Sequence, residues 1–153
     1  TVGQAQKAVD IPVILTIAAS FAMGGALEQT GAASYLAGAV FSLSDGHTLL
    51  ALLLVYLVVS VLTEVITNNA AAVLIVPVVL SLTSAMGVDS EPFIIAVMMA
   101  ASASFATPLG YQTNMMVFGP GGYRFSDFIR VGLPMNVFIG LVTVGVISVV
   151  YGV

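Results

Sequence analysis

From Thr48 to Met86 the only charged side chain is Glu64, and most of the rest are Leu, Val, Ile or Ala. This pattern persists along the chain. Its 153 residues include three basic and seven acidic side chains, 7% of the total, against 59% hydrophobic residues and a mean hydropathy of +1.14. A soluble domain carries about 25% charged residues. Too little polar surface exists to cover a soluble fold, so the class is all-α integral membrane. At about 20 apolar residues per crossing, the chain has room for roughly five crossings. That is half of what a two-repeat membrane carrier needs. The opening TVGQAQKAVD, without Met or signal-peptide pattern, reads as an internal cut in a longer chain.

Span lengths set the topology. At 1.5 Å per residue, residues 11–27 and 131–153 reach about 25 to 35 Å, enough to cross. Residues 32–43 reach about 18 Å, and are expected to lie along the interface. Residues 48–66 and 70–86 lie back to back, as a re-entrant hairpin or two full crossings. Residues 93–106 reach only about 21 Å. They cross if the break at residues 107–114 sits inside the membrane and residues 115–118 complete a discontinuous helix. The basic residues are Lys7, Arg124 and Arg130, whereas the turns at residues 45–47 and 89–91 carry acidic groups and no Lys or Arg. The positive-inside rule puts the basic sites in the cytoplasm and the acidic turns outside. Residues 123–130, with aromatic and basic anchors, read as an interfacial connector.

Several functions are excluded by what the chain lacks. Without cysteine there is no thiolate site, and His47 is the only histidine, a solvated turn residue. No nucleophile–base pair or metal-ligand cluster suggests an enzyme. A net charge of −4 opposes nucleic-acid binding, which needs a basic face. Gly119-Pro120-Gly121-Gly122 lacks the Lys-Ser/Thr of a phosphate loop.

Two polar interruptions remain. Thr67-Asn68-Asn69 follows Glu64 between apolar runs, and adjacent asparagines favour non-helical backbone through local hydrogen bonds. At membrane depth this tip would offer carbonyls to a cation and the next helix N-terminus to an anion. The same residues also suit an ordinary polar surface turn. In Thr107-Pro108-Leu109-Gly110-Tyr111-Gln112-Thr113-Asn114, Pro108 disrupts the helical ladder and Gly110 permits unusual backbone angles. Paired interruptions of this kind mark transporter sites. A channel with a re-entrant pore loop is the alternative, since channels also hold polar backbone at depth. Glu64 reads equally as an ion or proton carrier and as a group that faces water or pairs elsewhere. The small residues Ala100-Ala101-Ser102-Ala103-Ser104 allow close helix approach, with polar recognition by Ser102 or Ser104 a lesser reading. Gly24-Gly25 reads as a packing site.

TEVITNNAAAVLIVPVVLSL and ASASFATPLGYQTNMMVFGPGGYRFSDFIRVGLPMN together resemble the C-terminal repeat of the divalent-anion/sodium symporter family. The resemblance runs from Ile11 onward. It implies one inverted-repeat half, with Thr67-Asn68-Asn69 where the family carries Ser-Asn-Thr. It also implies sodium as coupling ion, held around Thr63, Ile66, Thr67, Asn68, Gly110 and Asn114. Substrate contact would fall to Asn68, Asn69, Gln112 and Thr113. Tyr111-Gln112-Thr113-Asn114 replaces the Thr-Pro-Pro-Asn of many dicarboxylate carriers and leans toward the sulfate-type and bacterial branch. The implied partners are a small divalent anion (sulfate or a C4-dicarboxylate such as succinate), the lipid bilayer, the N-terminal repeat of the same transporter and a second copy in a homodimer. The expected location is the cell membrane, as a multi-pass protein of a bacterial inner membrane.

Overall fold

The computed structural model describes residues 15, 18, 19, 22, 25–27 and 29–153, apart from the side chain of Gln112. The expected first span, residues 11–27, lies largely outside them, as do Lys7 and Gly24. Among the described residues the secondary structure is helical, with no strand. The helices are α1 (Ala32–Ser44), α2 (Thr48–Thr63), α3 (Asn68–Met86), α4 (Glu91–Ser102), α5 (Gln112–Phe118) and α6 (Phe125–Tyr151). Two of them, α3 and α6, are long and apolar enough to cross a bilayer, while α1, α2 and α4 are shorter apolar helices.

The core is built around α2, which packs against α1, α3, α4 and α6. Its buried residues, Ala51, Leu52, Val55, Tyr56, Val59, Ser60 and Thr63, recur at three- and four-residue spacing and form one continuous stripe. Facing it are Ile75, Val78, Val79 and Leu82 from α3, and Phe93, Ala96, Val97 and Ala100 from α4. The outer surface stays apolar. On α6, Val131, Phe138, Leu141, Val146 and Val149 are all exposed, as on a face turned to lipid or to more protein.

Three boundaries differ from the sequence expectation. The turn after α2 occupies residues 64–67, so Asn68 and Asn69 form the first turn of α3 instead of the joining loop. Thr67 caps that helix, its hydroxyl accepting the Ala70 N–H at 3.4 Å, and a capping hydroxyl there outweighs the asparagines' preference for turns. Residues 123–130 are not a separate connector. Helix α6 starts at Phe125, where Asp127 accepts the Arg124 N–H at 2.8 Å, and runs unbroken through Pro134. Third, α4 ends at Ser102, well before Pro108, and helix resumes at Gln112.

Glycine sets the approach of α6 to the core. A Cβ at Gly132 would stand 1.9 Å from the Phe105 carbonyl oxygen, whereas one at Gly145 would meet nothing within 4 Å. Gly132→Ala is therefore expected to destabilise the fold by about 1–3 kcal/mol. Gly145→Ala should be neutral or add about 0.5–1 kcal/mol through helix propensity. Thermal unfolding of the detergent-solubilised full-length protein separates the two; equal melting temperatures would refute the close packing.

Candidate functional site

The early end of α4 is caused by side chains from other helices. In an uninterrupted helix the Phe105 N–H would bond to the Ala101 carbonyl. Instead the Thr63 hydroxyl, from the end of α2, lies 3.0 Å from that carbonyl. The Phe105 N–H goes to Asn136 Oδ1 on α6, at 3.2 Å. The next amide, on Ala106, donates to Glu64 Oε1 at 3.1 Å. An amide or carbonyl buried without a partner costs about 1–3 kcal/mol, so these substitutes are what let the main chain leave the helix.

The unwound residues 103–111 then lie against the turn between α2 and α3. Ser104, almost fully buried, donates its hydroxyl to the Thr63 carbonyl at 3.1 Å. Thr107 donates to the Glu64 carbonyl at 2.7 Å. From α5, Asn114 Nδ2 reaches the carbonyls of Ser104 at 2.9 Å and Thr107 at 3.1 Å. Gly110 completes the contact: a Cβ there would stand 1.7 Å from the Thr63 carbonyl oxygen and 2.5 Å from Ser104 Oγ. The need for glycine is thus close approach of two backbones. It does not arise from a left-handed conformation.

Thr63, Asn68, Ser104 and Gly110 consequently share one oxygen-rich junction. The Thr63 hydroxyl is 2.7 Å from Asn68 Oδ1 as well as 3.0 Å from the Ala101 carbonyl. It has one proton to donate, so at any moment one of these oxygens is left as a free acceptor. Thr63 is fully buried and Asn68 half-buried. Asn114 joins the junction through its carbonyl bonds. Ile66 is half-buried in the turn, its N–H held by the Leu62 carbonyl at 2.9 Å, and Thr67 is occupied as the α3 cap. Asn69 and Thr113 are exposed, one at the start of α3 and the other in α5. Among the described residues, no hydrogen bond brings either into the junction. For Gln112 the structure gives only its backbone place, the first residue of α5.

Sequence reasoning missed two contributors. Thr107 was noted only as part of the break, yet its hydroxyl pins the turn. Asn136 closes the second quoted motif, within the last apolar span, with no role assigned to it from the sequence. The signal was available, because an amide in such a span needs a partner. Glu64 Oε1 accepts from Asn136 Nδ2 at 2.6 Å as well as from Ala106, while Glu64 Oε2 is buried without a partner among the described residues. Beside the junction, a cleft of about 320 Å³ lies between α5 and α6, lined by Phe105, Asn114, Val117, Phe128 and Met135 among others.

Among the described residues, apolar helices with two non-helical stretches meeting at an oxygen-rich junction fit the class of membrane transport proteins. Comparison with known proteins gives the family. Residues 1–152 match the family described as citrate transporter, and the chain belongs to it. An uncharacterized transporter of Synechocystis sp. is 43% identical over 99% of the chain, which covers 25% of that protein. Sodium/sulfate cotransporter 1 of Chlamydomonas reinhardtii is 38% identical over 91% of the chain and 16% of its own length. The rat Na(+)/dicarboxylate cotransporter 3 is 29% identical over 87% of the chain and 22% of its own. The chain spans about a quarter or less of these relatives.

Thr63→Val keeps the shape of the side chain and removes its hydroxyl. It is expected to cost about 1–3 kcal/mol, because the Ala101 carbonyl then lacks its partner. A melting temperature equal to that of the unaltered protein would rule out this capping role.

Proposed function

We propose that the full-length protein containing this chain is a sodium-coupled carrier of a small divalent anion, sulfate or a C4-dicarboxylate. The observation that supports it best is the junction of Thr63, Asn68 and Gly110. There, backbone carbonyl, hydroxyl and amide oxygens converge, with no basic side chain among the described residues joining them. Unwound backbone of this kind coordinates sodium in secondary transporters. The names of the sodium/sulfate and Na(+)/dicarboxylate relatives agree with this reading.

The proposed division of labour follows the oxygen atoms. Thr63, Asn68 and the Gly110 segment hold sodium, with Ile66 and Thr67 shaping the turn and Asn114 ordering the carbonyls of the unwound stretch. The anion is received at the start of α3, by Asn68 and Asn69, with Gln112 and Thr113 approaching from α5. Helix α3 presents its first-turn N–H groups and the positive end of its dipole there. Since no Lys or Arg among the described residues contributes, bound sodium supplies the positive charge that a doubly charged anion requires. Cation and anion binding are then linked. The rest of the polypeptide supplies the N-terminal repeat that completes the site. The assembly is a multi-pass homodimer of a bacterial inner membrane, and α1 is an arm between its moving and static parts. Alternating access in this scheme is movement of the junction-bearing helices across the membrane, without chemical change to the cargo.

Uptake of labelled sulfate and succinate into proteoliposomes holding the full-length protein tests the coupling. Accumulation is expected for at least one of them under an inward sodium gradient, and none when potassium replaces sodium. Equal uptake in both salts would overturn the mechanism. Asn68→Ala is expected to raise the half-saturating sodium concentration by about tenfold, as loss of roughly one ligand-quality interaction implies. Unchanged half-saturation for both sodium and anion would remove Asn68 from the site.

A further inference from the structure

Asn136 stands apart from the proposed sodium and substrate ligands, yet it bonds to both halves of the junction. Its Nδ2 donates to Glu64 Oε1 at 2.6 Å and its Oδ1 accepts the Phe105 N–H at 3.2 Å. Glu64 Oε1 also accepts from Ala106 N at 3.1 Å, closing a ring of hydrogen bonds around two successive amides. Glu64 directly follows Thr63, and Phe105 directly follows Ser104, the pair whose hydroxyl–carbonyl bond joins the two halves. One turn before Asn136 on the same face of α6, Gly132 allows that helix to touch the Phe105 carbonyl. Helix α6 therefore grips Phe105 at its carbonyl, by contact, and at its amide, by a hydrogen bond.

We propose that Asn136 is a positioning residue of the cation site, an amide clip that sets the separation between the end of α2 and residues 103–111 without touching the ion. The proposal rests on the sodium reading given above. With the clip in place, the Thr63 carbonyl, Asn68 and the Gly110 segment are held in their binding arrangement before sodium arrives. Without it, part of the binding energy goes into ordering the unwound segment, and sodium affinity falls. The anion, bound at the start of α3, is affected only through sodium, so its apparent affinity recovers once sodium saturates.

The test uses the full-length protein in proteoliposomes, with sodium titrated against uptake of whichever anion it carries. Asn136→Ala is expected to raise the half-saturating sodium concentration by about tenfold, the equivalent of one or so net hydrogen bonds. The anion KM at saturating sodium should stay within about twofold of the unaltered value. Asn136→Leu keeps the volume and adds no charge but loses both hydrogen bonds, so it should shift sodium in the same direction. It is read in place of the alanine variant if that one does not fold. In Glu64→Ala/Asn136→Ala the sodium shift should be smaller than the product of the two single shifts, because the residues act through one ring. Sodium half-saturation unchanged in the variants while the unaltered protein is sodium-dependent overturns the clip alone, as do single shifts that multiply in full. Sodium-independent uptake by the unaltered protein overturns the sodium reading and the clip with it.

Discussion

The arrangement depends on an exchange of hydrogen bonds at the end of α4. A helix in an apolar setting normally satisfies its own backbone, and any departure exposes amides and carbonyls that lipid cannot solvate. Here the bond between Phe105 and Ala101 is given up. Thr63 and Asn136 take the two freed groups, and Glu64 takes the next amide. The helix can stop because three other parts of the molecule receive what it releases. The unwound stretch is thus a tertiary structure with its partners specified, and it holds the Thr63 carbonyl, Ser104 and Gly110 within contact distance.

That exchange needs a rigid frame, and α2 supplies it. The stripe from Ala51 to Thr63 is buried against α3 and α4 along its whole length, and it ends on the residue that caps Ala101. Packing and polar chemistry are continuous here: Val59 and Ser60 lie within the core one turn before Thr63 enters the junction. The small side chains of Ala100, Ala101, Ala103 and Ser104 serve the same end by letting α4 and its extension approach closely. Gly110 and Gly132 take this further, removing the Cβ where backbone meets backbone.

Much of this was legible in the sequence because it follows from length and from local chemistry. The shortness of residues 93–106, the proline and glycine after them, and the polar tip between two apolar runs all indicated where regular helix fails. Their precise limits were not legible. Pro108 suggested a break beginning near Thr107, but the helix ends at Ser102, because the deciding partners are distant: Asn136 lies 31 residues from Phe105 and 72 from Glu64. Asn68 and Asn69 looked like loop residues until Thr67 proved to be a helix cap. Gly110 was read for its backbone freedom, whereas the structure uses its lack of a side chain. The local signals were sound; contacts from elsewhere in the chain fixed the helix end and the role of Gly110, and the neighbouring Thr67 hydroxyl fixed the asparagines.

The wiring of Phe105 has a consequence for assembly. Asn136 follows residues 91–106 in the chain, and until it docks the Phe105 amide lacks its acceptor on α6, leaving the Ala101 carbonyl as the one that helical geometry offers. Extension of α4 past Ser102 competes with the elbow until α6 delivers the Asn136 amide. Docking of α6 thus shapes the end of a helix that precedes it in the chain, and the junction takes its form only once both are in place.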